Sequence, residues 1–469
     1  MTSSRGSDER RSSGAEHDWA RYSPTPGAPW NLRRVVHLHR RAGFAATWRE
    51  LQRDLADGPE ASIQRLLAGK SRVEGVPADF NQVSSLLAEA AVSAQDPGRL
   101  KAWWVYRMLF GPDPLGGRLT LLWHNHFATS VAKVGDLALM HRQNELFRER
   151  ARAPFSELLA SVVRDPALLV WLDAPANRRE HPNENLAREL MELFTVGLGA
   201  FTEADVKESA RALTGWSVMD DGFRDVPVRH DPGEKSILGK KGPWGGDDLI
   251  KILLDHPGTS VRLATRLCEL FMGEGTANAA RIQSLAQGLR GHNLDIGWGV
   301  ETILRSEAFF AEANLGSRVL GPAECVVGAA RALELFDPPP STVILADWIT
   351  RLGQDLFSPP NVFGWPGGKA WITTRSVIGR ANFAAALVTA SGAGRPEAFD
   401  ALGLARSRRR AECVDDVVEF YCDLLLGRRP DEGFQKRLNA ALGTNTLMSP
   451  ETARKMVTLV LASPEGQLA

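Results

Sequence analysis

From Asn31 onward, apolar positions recur at the three- and four-residue spacing of an α-helix, and convincing runs of strict alternation are hard to find. Leu32, Val35, Val36 and Leu38, followed by Gly43-Phe44, predict one helix ending at a glycine, with a second over Thr47 to Leu55. The same period predicts helices over about 83–94, 99–110, 117–133, 136–151, 155–163, 185–196, 203–214, 246–255, 259–272, 278–290, 298–305, 322–336 and 342–355, then over 413–426, 431–442 and 450–462. The expected class is all-α, a large multi-helix body with long Gly/Pro/Trp-rich loops and a smaller C-terminal helical segment. Residues 1–28, rich in Ser, Arg, Gly and Pro, read as a disordered tail. Residues 29–390 read as the main domain, and a glycine-rich break at 391–395 opens a C-terminal helical subdomain, 391–469. The long connections at 111–117, 174–184, 216–247 and 356–376 are where a helical protein of this size would place a site.

Composition narrows the function classes. Of 469 residues, 56 are Lys or Arg and 56 are Asp or Glu, and this balance argues against a general nucleic-acid binder, whose affinity comes from cations neutralising phosphates. Cys268, Cys325, Cys413 and Cys422 are too scattered for a disulfide framework and match no zinc spacing, so all four read as buried apolar thiols. No run approaches the roughly 20 apolar residues of a membrane span. Arg10-Arg11 is followed by Ser12-Ser13-Gly14-Ala15-Glu16-His17-Asp18 rather than an apolar stretch, so the sequence as given reads as cytoplasmic. The unusual figure is 13 Trp against 3 Tyr.

Four segments carry candidate chemistry. In Trp123-His124-Asn125-His126-Phe127, the two histidines would share a face on a strand and chelate a metal, whereas on a helix they diverge. Leu119, Leu122, Trp123 and Phe127 favour the helix, and a core histidine with satisfied hydrogen bonds explains the same letters. The histidine pair His37 and His39 falls on the first helix about 200° apart, which makes a shared ligand unfavourable. In the segment from Asn183 to Phe194, Leu186, Leu190, Leu193 and Phe194 form an apolar stripe. Asn185, Arg188, Glu189 and Glu192 fill a sector of about 100° beside it. Asn183 is placed to cap, and Glu184 to pair with Arg188. Two carboxylates, an amide and a guanidinium on one face suit acid/base or metal chemistry, and equally a solvated stripe of ion pairs.

After Gly197 and Gly199, Thr202 and Asp205 open the next helix as a capping box, and its Glu203, Lys207, Glu208 and Arg211 read as surface ion pairs. His230-Asp231-Pro232-Gly233-Glu234-Lys235 could supply a base, a metal ligand or an anion contact, or be a plain turn. Pro359 to Trp371 could form a stacking wall through Trp365 and Trp371, or plug the end of a bundle. Phosphate loops, GxSxG elbows, CxxC pairs and HExxH helices do not occur.

These segments, WHNHF from Trp123, NENLARELMELFTVG from Asn183, FTEADVKE from Phe201 followed by ARALTGW to Trp216, HDPGEK from His230 and PPNVFGWPGG from Pro359, closely resemble the bacterial domain-of-unknown-function family 1800 from about Asn31 to the Ser463-Pro464-Glu465 tail. The resemblance implies a predominantly helical fold with no activity established for the class. Many members look exported and are encoded beside a sulfatase-like family, which implies a sulfatase-like partner and work on envelope polymers; this sequence departs from that pattern in showing no export signal.

The unifying expectation is an enzyme, a hydrolase or transferase on a carbohydrate-like or other small-molecule substrate, with one convergent pocket. Glu189, Glu192, His126 and His230 are its candidate catalytic groups. Asn183, Asn185, Arg188, Trp216, Asp231, Lys235 and Trp365 are its candidate substrate contacts, and His124, His126, Glu189 and Glu192 could hold a divalent metal. The competing expectation is a non-catalytic binding or assembly protein in which the same residues form a buried polar network.

Overall fold

The computed structural model describes residues 19–69, 75, 77–443 and 447–469. Arg10-Arg11 and the first eighteen residues of the expected tail lie outside the described residues. Regular structure is predominantly α, as the periodicity predicts, with two antiparallel hairpins beside the helices. Helix starts are written by a recurrent device, a polar cap followed by proline. Asp96-Pro97, Asp113-Pro114 and Asp165-Pro166 each place a carboxylate on exposed backbone N–H groups and a proline where no N–H is needed. No helix among the described residues is long and apolar enough to cross a membrane.

Several elements differ from the periodic reading. The expected 117–133 helix is Pro114–His126 followed by a short new turn, Val131–Val134, because Ser130 caps afresh. The second helix breaks at Gly58, whose φ is +84°, and Pro59 opens a further helical stretch to Leu67. Helices Pro166–Trp171, Thr374–Leu387 and Ala401–Arg408 carried no usable period, the second because alanines dilute its stripe. The 216–247 loop contains β1, Trp216–Met219, paired with β2, Gly222–Asp225, and β3, Lys235–Ile237, paired with β4, Lys240–Gly242. Both hairpins close on two residues with positive φ, Asp220-Asp221 and Leu238-Gly239, the geometry that matches strand twist. Strands this short leave no alternation to read.

Two apolar cores form among the described residues. One gathers Val35, Trp103, Val327, Trp365, Phe383, Phe420 and Met456, and the other Leu38, Trp123, Leu190, Trp216, Leu253 and Phe271. The Leu32–Ala42 helix contributes Val35 and Val36 to the first and Leu38 and Ala42 to the second. Helices after the 391–395 break share the first core with residues from the chain's beginning, so the apolar interior does not divide there. Order begins before Trp30, since Tyr22 is buried against Trp30 and Phe310. The cysteines are all free thiols; Cys268 and Cys422 are buried as expected, Cys325 is half-buried and Cys413 is exposed at a helix start, which corrects the uniform reading.

Fully buried arginines tie these helices together. Arg41 donates to the carbonyls of Phe271 and Asn314 at 3.1 and 3.0 Å. Arg331 donates to Leu109 O and Arg380 to Leu320 O, both at 2.7 Å. Half-buried Arg40 likewise reaches Leu425 O and Gly466 O. Each ends on carbonyls far away in sequence, several at helix ends that have no partner of their own. Arg41→Met should therefore lower the unfolding free energy by about 1–3 kcal/mol, the cost of orphaning the buried Phe271 carbonyl while Ser317 Oγ still donates to Asn314 O, with an unchanged denaturant slope in urea unfolding.

Candidate functional site

The last turn of the Pro114–His126 helix sends three consecutive side chains in three directions. His124 is buried among Trp104, Phe147 and Phe357, and its Nε2 lies 2.9 Å from Asn144 Nδ2. Arg148 donates to Asn144 Oδ1 at 2.7 Å, which leaves the amide nitrogen as the donor and fixes His124 Nε2 as an unprotonated acceptor. Burial, and then Arg148, hold its pKa well below the usual histidine range, so the ring is neutral. His126 donates from Nε2 to Phe194 O at 3.1 Å; its Nδ1 is buried without a hydrogen-bond partner among the described residues. Burial, with Arg266 and Arg262 nearby, keeps this ring neutral too. Between them, Asn125 Oδ1 accepts the backbone N–H of Trp365 at 2.6 Å. Gly364 packs so closely on Asn125 that a Cβ there would lie 2.1 Å from Oδ1, and its φ of +83° also demands glycine.

The expected 185–196 helix is α-helical only over Asn185–Glu189 and continues as a π-helix over Leu190–Phe194. Its end is closed carbonyl by carbonyl. Thr195 Oγ1 donates to Leu190 O, Gly197 N to Met191 O, Arg262 Nε to Leu193 O and His126 to Phe194 O. Arg188 bridges Glu184 and Glu203 at 2.8 Å, the first pair as the spacing predicts. Glu189 and Glu192 stay close enough to repel; burial first and then Glu192, against Arg188, push the Glu189 carboxyl up to about 6. Asn183 Oδ1 accepts Asn185 N, and Asn185 Nδ2 reaches Asp173.

The His230–Lys235 turn is knotted onto the Glu203–Ala212 helix, which Thr202 and Asp205 open as the expected capping box. His230 Nδ1 lies 3.0 Å from Thr214 O, and Arg211 Nε donates to Asp231 Oδ2 at 2.7 Å, which lowers the Asp231 pKa. Lys235 is wholly buried and donates to the carbonyls of Asp231 and Gly233. Trp216 is buried beneath Arg164 and Phe223.

Motif segments thus meet, but as a framework. Among the described residues no three His, Cys, Asp or Glu side chains gather closely enough to hold a metal ion. The set His124, His126, Glu189 and Glu192 does not form a cage, because the helix turns one ring toward Asn144 and the other toward Phe194. Trp216 and Trp365 do not wall one pocket, since Trp216 lies in the other core and does not line the cleft that Trp365 lines.

That cleft, about 210 Å3, opens on the other side of Asn125. Asn125, Gln354, Trp365, Trp371 and exposed Phe363 line it, with Arg118, Arg266, Arg318, Glu269, Glu274 and Glu324. Arg266 and Glu269 come from the Pro257–Met272 helix, where Arg262, Arg266 and Glu269 recur at the spacing of one face. Arg266 pairs with Glu269 at 2.9 Å. Glu324, at the N-terminal turn of Pro322–Ala332, sits fully buried between Arg118 and Arg318, the latter at 2.7 Å. Burial raises its pKa, but the two guanidinium groups outweigh burial and hold it down at about 2. Glu274 follows the helix at Gly273 and lies against Gly367 and Gly368, where a Cβ on Gly367 would sit 2.4 Å from its carboxylate. Sequence reading named Trp365 and Trp371 but missed the charged lining, whose one readable signal is the Arg262/Arg266/Glu269 stripe on an otherwise apolar helix.

Glu324→Gln should cost about 3–5 kcal/mol in urea unfolding at neutral pH, because it strands two buried cations. The wild type should lose the same contribution as pH falls from 4.5 toward about 2, the range between the free and the buried carboxyl. For Glu189 the sign reverses. Its neutral form is favoured in the folded chain, so stability is lost as pH rises through about 6. The Tm gain of Glu189→Gln over wild type should grow from pH 5 to pH 7, both chosen as roughly bracketing that pKa. A flat difference would show that the carboxyl is unperturbed.

The family model described as a protein of unknown function (DUF1800) matches residues 37–468. The chain matches no curated protein and no solved structure.

Proposed function

We propose, from the premise that the chain belongs to the DUF1800 family of proteins of unknown function, that it is a hydrolase or transferase acting on a carbohydrate-like substrate bound in the cleft at Trp365. One observation carries the reading: three arginines and three glutamates balance around a cleft that also holds two amides and three aromatic side chains. A neutral, donor- and acceptor-rich wall beside aromatic edges suits a polyhydroxylated ligand better than a polyanion. In this reading Asn125, Gln354 and Arg266 orient hydroxyl groups. Phe363, exposed at the mouth, stacks on a sugar face. Glu269, fixed by Arg266, accepts a hydroxyl hydrogen bond. Glu274, which makes no ion pair with any described residue, takes or gives the proton at the bond being broken.

A second reading has an observation of its own. The motif residues His124, Asn125, His126, Asp231 and Lys235 are committed to internal hydrogen bonds, as the polar network of a non-catalytic binding protein would be.

Titration of the full chain with a panel of neutral oligosaccharides, read by calorimetry and by product release, separates these. We expect saturable binding that Phe363→Ala weakens about tenfold, and turnover that Glu274→Gln lowers about 10²–10⁴-fold while binding stays within about threefold. Binding without turnover would favour the second reading. Absence of binding across the panel, or binding indifferent to Phe363, would reject the cleft as a saccharide site.

A further inference from the structure

Four of the eleven large apolar residues that are strongly exposed among the described residues fall between Phe363 and Ile378: Phe363 at 65%, Ile372 at 41%, Val377 at 50% and Ile378 at 57%. Single exposed apolar residues need no explanation, but a cluster does. Ile372 and Val377 occupy the N′ and N4 positions around the cap Thr373 of the Thr374–Leu387 helix, the positions that pack together as a hydrophobic staple. Both are about half exposed, and Ile378 lies next to Val377 on the same helix. Arg380, Phe383, Ala384 and Leu387 face the core, and on the opposite face Ile378, Asn382 and Ala385 are exposed, with Ala381 half-buried.

Charge tells what covers it. The sequence holds no Asp or Glu between Asp355 and Glu397, although the chain as a whole has as many acidic as basic residues. Lys369 and Arg375 stand exposed in this patch, and neither forms an ion pair with any described residue. A second copy docking through this face would bring two patches with the same cations, Lys369 and Arg375, together across a two-fold interface. A surface of one sign, anionic and apolar just beneath, meets both requirements.

We infer that this face docks on an anionic lipid surface, with Ile372, Val377 and Ile378 entering the interface and Lys369 and Arg375 held at the headgroups. The patch adjoins the cleft, since Trp371 lines the cleft and Ile372 follows it in the chain. Docking would hold the cleft mouth at the bilayer surface and supply substrates from it. The inference stands whether or not the cleft takes a saccharide, and its test uses none.

The test is co-sedimentation of the full chain with vesicles of phosphatidylcholine alone or of phosphatidylcholine mixed with phosphatidylglycerol, at low and high salt. The expected result is binding to the phosphatidylglycerol vesicles, weakened by salt and at least about tenfold weaker for phosphatidylcholine alone. The double variant Lys369→Glu/Arg375→Glu and the single variant Ile378→Asp should each weaken it at least about tenfold. Both change exposed positions, so their thermal melting by circular dichroism should match wild type. Failure to bind phosphatidylglycerol vesicles, binding unaltered in both variants, or self-association that Ile378→Asp abolishes without any vesicle binding would each overturn the proposal.

Discussion

Donation from buried guanidinium groups to backbone carbonyls is the interaction on which the rest of the fold depends. A body assembled from many short helices has many helix ends, and every end leaves carbonyls with no partner of their own. A long helix would bury few such groups, whereas here they are numerous and lie inside. Arginine answers this geometrically, because a donor-only fork on a long stem can span two chain segments at once. Fully buried Arg41 joins Phe271 to Asn314, while half-buried Arg40 joins Leu425 to Gly466 and half-buried Arg262 closes the π-turn at Leu193. Arg41 has no carboxylate within ion-pair distance among the described residues, so its charge is balanced by dipoles rather than by a counter-ion. Burial accordingly pulls its pKa down.

Glu324 is the complementary case. There a carboxylate serves two arginines and also the backbone N–H of Gly321, so one side chain sets the start of a helix and the floor of the cleft together. The polar lining of the cleft is in this sense an extension of the framework. The charges that shape it are held from behind by the same contacts that hold the helices, which leaves the forward edge to Glu274, Gln354 and the aromatic loop.

Helices with a clear apolar stripe were legible from periodicity, as over 259–272, 322–336 and 450–462, since the stripe is the physical cause of their packing. Thr374–Leu387 was not, because Ala and Gly fill so many of its positions that buried and exposed faces look alike. The motifs were legible as unusual but not in their role. His124, His126, Asp231 and Lys235 carry letters that fit catalysis, yet a histidine's function depends on which group stands opposite each ring nitrogen. Sequence does not show that Phe194 O and Asn144 are the partners. The cleft was half legible: tryptophans and prolines marked the 359–371 loop, while Arg118, Arg318 and Glu324 lie far apart in sequence and announce themselves only when the chain brings them to one place.

The three-way turn at His124, Asn125 and His126 has a consequence for how this sequence can change over time. Each of the three side chains is matched to a different distant segment, through Asn144, Trp365 and Phe194. A drift in the helix's final residues cannot be absorbed by any one of those segments alone, since a rotation that relieves one contact spoils the other two. Substitutions there should be tolerated only in concert, and the short stretch becomes a point where three regions of the chain share one evolutionary fate.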